Sequence, residues 1–101
     1  MSSDSVVELH LVSRLADRRV WDLCRARSAE GATVEVVLMH DAVLETETSI
    51  AETLGDQDGP KVAVMACAED ARRRQVEERW ALIDYAGIID RCAAAEKVTS
   101  W

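Results

Sequence analysis

The residues of this chain best suited to covalent chemistry are its three cysteines, Cys24, Cys67 and Cys92. Whether a cysteine reacts depends on how readily it forms the thiolate and on whether a partner can reach it. Cys24 has Arg25 and Arg27 as close neighbours, with Arg18 and Arg19 up to two turns earlier. On a helix their summed field favours the anion, while burial against Val20 and Trp21 opposes it. Cys67 ends an apolar run, where a strand would hand over to a helix whose N-terminus stabilises a thiolate; Glu69 and Asp70 work against it. Cys92 lies among alanines and reads as packing. For each cysteine the plain alternative is a small buried hydrophobe. No two of them form a CxxC pair, and two histidines leave few ligands for a Cys/His zinc cluster. Three free thiols suit a reducing cytosol. His40-Asp41 offers an acid/base pair; the favoured reading makes Asp41 a cap and His40 a surface residue. Trp21, Trp80 and Trp101 read as core or interface anchors.

The elements that must position these residues alternate. Val6–Val12 is strongly β-prone and reads as a first strand. A helix follows from Arg18 to Glu30, with Asp17 as its cap and Val20, Leu23, Cys24 and Arg27 at helical spacing. Gly31 closes it. The valine-rich run Thr33–Met39 reads as a strand covered on both faces. Ala42–Leu54 is ambiguous, with a helix in its second half capped by Thr48 or Ser49. Gly55–Pro60, GDQDGP, is the clearest loop. Lys61–Ala66 and Trp80–Ile83 read as strands, Glu69–Glu78 and Tyr85–Ala95 as helices, and Val98–Trp101 as a final strand or extended tail. The βαβαβαβαβ order predicts an α/β single domain over residues 1–101, with residues 1–5 as a loose start. It is a mainly parallel five-stranded sheet with helices on both faces. The ligand edge of such a sheet is the carboxyl end of its strands. That edge gathers Ser13-Arg14, His40-Asp41, Ala66-Cys67 and Asp84-Tyr85.

Composition narrows the function. The chain has 101 residues, 49% of them hydrophobic and 31% charged, which suits one domain with one real core. A net charge of −7 argues against direct nucleic-acid or anionic-membrane binding. No apolar run approaches the roughly 20 residues of a membrane span, and the acidic start lacks a signal peptide's basic region. The expected place is the cytoplasm. Charge is uneven: Arg14 to Arg27 holds five arginines and two acids, while Asp41 to Asp58 holds six acids and no base. Both read first as solvated faces. VSRLADR after the first strand lacks the glycines of a phosphate loop, and no acids cluster there for a phospho-acceptor site.

The C-terminal run Ala81–Trp101 resembles the end of the DsrH and TusB proteins, with Ile83, Asp84, Tyr85 and Trp101 matching. Leu9-His10 and Ser13 resemble that family's Leu-His opening. Gly31, Asp41 and Val43 match its Gly…Asp-Gly-Val pattern, with Ala42 in place of the glycine. Cys24, seven residues before Gly31, falls where DsrH-type members carry their cysteine. Asp70 and Arg72 or Arg73 are similar to the stretch after the third strand. Ile88-Ile89 replaces Phe-Val, and the 72–74 arginines lack the glycine that follows in the family. Cys67 lies near the cysteine of the related DsrE and TusD subunits. The resemblance runs from about Leu9 to Trp101. It implies a DsrE/DsrF/DsrH-like sheet and an oligomer with DsrE/DsrF-like (TusD/TusC-like) sister subunits. It also implies transfer of sulfane sulfur as a cysteine persulfide between donor and acceptor proteins, TusA-like ones among them. The candidate catalytic residues are Cys24 and Cys67, and no metal or organic cofactor is needed. The direction would be sulfur oxidation for the DsrH type, which is favoured, and tRNA wobble-uridine thiolation for the TusB type. The alternative is an assembly subunit whose thiols are inert. Trp101 is expected to serve stability or assembly.

Overall fold

In the computed structural model, which describes residues 7–14, 18–45 and 62–101, the apolar run Thr33–Leu38 is the central strand of a five-stranded sheet. The elements are β1 (Val7–Val12), α1 (Arg18–Ala29), β2 (Thr33–Leu38), β3 (Val62–Cys67), α2 (Ala68–Arg73), β4 (Leu82–Ile83), α3 (Tyr85–Ala94) and β5 (Lys97–Ser100). Short 3-10 helices lie at His40–Leu44 and Glu77–Arg79. The strand order is β4-β3-β2-β1-β5 and every pairing is parallel. The α/β class and the parallel five-stranded sheet read from the sequence are therefore the fold observed.

Strand alternation separates two cores. Val34, Val36 and Leu38 of β2 join Val12, Ala66 and the α1 residues Val20, Trp21 and Cys24. Val37 joins Leu9, Cys67 and Ile88 of α3 on the other side. Successive side chains of a strand face opposite ways, so α1 and α3 cover opposite faces. Right-handed crossovers require this. The chain moves one way from β1 to β4, then returns through α3 to place β5 beyond β1, and reversing direction reverses the face.

The helix ends carry local signatures. Gly31, with φ of 102°, follows α1. Its N–H donates to the Ser28 carbonyl at 3.0 Å, and the Ala32 N–H donates to that of Arg27 at 3.2 Å. These two bonds form a Schellman closure, for which glycine is suited. Asp84 caps α3, its Oδ1 accepting from the Gly87 N–H at 2.8 Å.

Two elements differ from their sequence-based bounds. The charge pattern predicts a helix over Glu69–Glu78, but α2 stops at Arg73. Gln75 takes φ of 58°, and the Gln75 and Val76 N–H groups bond back to Arg72 and Ala71. The same closure is made here without a glycine to mark it. The strand predicted over Trp80–Ile83 comprises only Leu82 and Ile83. The Trp80 indole instead donates to the Val43 carbonyl at 3.0 Å and packs on the first core. Asp17, Thr48, Ser49 and the GDQDGP loop lie outside the described residues.

Candidate functional site

Three of the four pairs expected at the carboxyl edge supply residues that meet around Cys67. This cysteine is the last residue of β3 and the N-cap of α2, and it is fully buried. Asp70, one turn into α2, is almost fully buried as well. Its Oδ2 accepts the His40 backbone N–H at 2.9 Å, and Arg74 stands 3.8 Å from its Oδ1. The Cys67 thiol lies close enough to the Asp70 carboxylate to help lower its pKa. The Tyr85 hydroxyl, from the first turn of α3, is near the same sulfur. Burial pushes the Asp70 carboxyl up, but the His40 N–H, the Cys67 thiol and the nearby charges outweigh it and hold it below its ordinary value. Cys67 first, and then the charges of Asp70 and Glu69, push the Tyr85 hydroxyl up.

His40 and Asp41 do not form an acid/base couple here. His40 has φ of 51° and is exposed. The Asp41 carboxylate accepts from Arg74 Nη2 at 3.0 Å and Nε at 3.1 Å, and the 3-10 helix at His40–Leu44 has Met39 as its N-cap, with no side-chain capping bond. The pair acts instead as a clasp between the end of β2 and α2. Its backbone reaches Asp70, and its side chain reaches Arg74.

Cys24 occupies a different place. It lies on the α1 face, whereas Cys67 lies on the α3 face, so the two thiols do not share a site. Cys24 is fully buried. Its pKa is pushed up from 9.0 to about 12, first by burial and then by the charge of Glu8. The expectation that neighbouring arginines draw it toward the thiolate is not met. Arg27 is turned to Glu8, donating to Oε2 from Nε at 2.9 Å and Nη2 at 2.5 Å, and to Glu30. Arg25 is exposed, 3.8 Å from Asp22. Of the charges near this thiol, the one that shifts it is negative.

Sequence reading did not foresee that Glu8 and His10 would be buried together. Both are nearly fully buried on the α1 face of β1. Arg27 holds the Glu8 carboxyl below its ordinary value against the cost of burial. His10 Nδ1 accepts from the Trp101 indole N–H at 3.0 Å, and the two rings stack at 6.1 Å. The signal was present: two ionisable residues at alternate positions of an apolar strand, with Arg27 on the helix that covers them. Cys92 is half-buried and packs on the second core.

Among the described residues, no three His, Cys, Asp or Glu side chains are grouped to hold a metal ion. No described helix is long and apolar enough to cross a membrane. In comparison with known proteins, no family model matches the chain, and no curated protein or solved structure does.

Proposed function

We propose that this chain is a subunit of a DsrEFH/TusBCD-like sulfur-relay assembly, in the DsrH/TusB position, and that its role there is assembly rather than carriage of sulfur. The resemblance of Leu9-His10, Cys24, Gly31, Asp41, Asp84-Tyr85 and Trp101 to that family supports the first part. The parallel α/β sheet is the fold the resemblance implies. The observation that carries the second part is Cys24, which has no exposed surface and a thiol pKa near 12.

The chemistry of such a relay makes the reason concrete. A thiolate attacks the outer sulfur of a donor persulfide. A new S–S bond forms on the acceptor, the donor's S–S bond breaks, and the donor departs as a thiolate. The acceptor must be ionised and reachable. Cys24 is neither in this state, so the sulfur passes through DsrE- and DsrF-like sister subunits and their donor and acceptor proteins. The reading places the assembly in the cytoplasm and in sulfur oxidation, since a cysteine at this position marks the DsrH type.

A second reading, sulfur carriage at Cys67, is favoured by that residue's place at the ligand edge beside Tyr85 and Asp70. Incubation of the purified chain with a persulfide donor, followed by intact mass measurement, separates the two. The expected result is no added sulfur on the wild type. Sulfur gained by the wild type and lost in Cys67→Ser moves carriage to the sheet edge. Sulfur lost instead in Cys24→Ser refutes the assembly role.

A further inference from the structure

The seat of Trp101 contains a polarity that one proton would reverse. An indole N–H only donates, so the 3.0 Å bond to His10 Nδ1 requires that nitrogen to be unprotonated. The neutral ring then carries its proton on Nε2. That nitrogen is buried and has no hydrogen-bond partner among the described residues. The nearest acid is Glu8, whose Oε1 lies 3.9 Å away while its Oε2 serves Arg27. A buried polar group without a partner is uncommon and asks for a reason.

We propose that His10 is a proton-operated latch on the C-terminal strand: neutral, it holds Trp101 and β5 on the sheet, and protonated, it releases them. A second proton on the ring puts N–H against N–H across the Trp101 contact, which ends that bond. The same proton makes Nε2 part of a cation facing the Glu8 carboxylate, so the ring gains an attraction on the side away from Trp101. The charged groups facing His10 are Glu8 on its own strand and Lys97 on β5, with Arg27 on α1 acting through Glu8. Lys97 opposes protonation and Glu8 favours it.

β5 pairs with β1 over four residues at the sheet edge, and three of its four side chains are exposed. Beyond the ladder, the Trp101 backbone donates to the Leu11 carbonyl at 2.8 Å and accepts from the Ser13 N–H at 3.3 Å. The half-buried indole is the side chain that ties this end of the chain to the first core. Its release changes the edge of the sheet from β5 to β1.

Burial lowers the pKa of His10 below 6.5. A lowered histidine contributes stability that is fully present above 6.5 and is lost as pH falls through the folded value. Glu8 is held lower than an ordinary carboxyl, so it stays anionic at the start of that window.

The test is amide hydrogen exchange at Lys97–Trp101, with the Trp101 indole resonance followed by NMR, from about pH 8 to about pH 5. Trp101→Phe assigns the indole signal. In the wild type, protection of these amides should fall about tenfold in step with the His10 ring titration, after correction for intrinsic exchange. His10→Gln offers an acceptor that does not titrate, and its protection should stay flat. Trp101→Phe removes the opposing donor; its protection should be lower throughout and independent of pH in this range. Constant protection in the wild type while His10 titrates overturns the latch. So does an acid-dependent fall that persists in Trp101→Phe, which decides the matter even if His10→Gln does not fold.

Discussion

If burial governs Cys24, its thiol should be almost silent toward alkylating reagents until α1 leaves the sheet. Raised from 9.0 to about 12, the thiol is ionised roughly a thousandfold less at neutral pH than an ordinary one. Steric exclusion adds to this, because no atom of the residue meets solvent. The assay is iodoacetamide labelling at neutral pH, quenched over time and mapped by peptide mass spectrometry, run on native protein and in denaturant. Labelling of Cys24 in the native protein should be slower than in denaturant by roughly a thousandfold or more. Half-buried Cys92 serves as an internal control in the same samples. Native labelling of Cys24 within tenfold of its denatured rate would refute the reasoning. It would mean that the arginines near it in sequence act on it after all, or that α1 opens readily.

Two further outcomes follow from buried contacts. Asp70→Ala leaves the His40 N–H without its acceptor and Arg74 without its buried carboxylate, and should cost about 1–3 kcal/mol, seen as a lower urea midpoint. Asp70→Asn should cost less, because it keeps an acceptor. It should also weaken the acid sensitivity of the wild type: a carboxyl lowered from 3.8 contributes stability that is present above that value and lost as pH falls through the folded one. Gly87→Ala would place a methyl 2.7 Å from Ile83 Cγ1 and 3.2 Å from Asp84 Oδ1. The overpacking costs about 1–3 kcal/mol and helix propensity returns at most about 1, so the melting temperature should drop by a few degrees; an unchanged one would show that Ile83 yields freely.

β2 and β3 were legible because each is a short apolar run, and α1 because its apolar spacing ends at Gly31. The ends of α2 and β4 were not. Gln75 adopts a left-handed conformation that no residue type announces, and Trp80 serves the carbonyl of a residue far away in sequence, Val43. The strand order was beyond reach for the same reason, since where β5 inserts depends on α3 crossing the whole sheet. At the candidate site, the position of Cys67 between strand and helix was legible. The role of Asp70 was not: from sequence it is a charge opposing the thiolate, and in the fold it also accepts the His40 N–H and faces Arg74. Glu8, His10, Arg27 and Trp101 converge from different parts of the chain, and the alternation of Glu8 and His10 along β1 was the hint that those two belong together.

The two buried thiols differ in what separates them from a partner. Cys24 lies on the inner face of α1, a twelve-residue helix that also buries Val20 and Trp21 there. Reaching it means exposing that core, a cost of several kcal/mol at about 1.5–3 kcal/mol per large apolar side chain. Cys67 lies at the end of its strand, near Tyr85 of α3, a residue with 44% of its surface exposed. A side-chain rotation there is far cheaper than lifting a helix. The order of labelling in the native protein should therefore be Cys92, then Cys67, then Cys24. If a sister subunit brings either buried thiol into exchange, it does so with least work at the sheet edge, by moving Tyr85. Cys24 becomes available only to a partner whose docking energy repacks the α1 face.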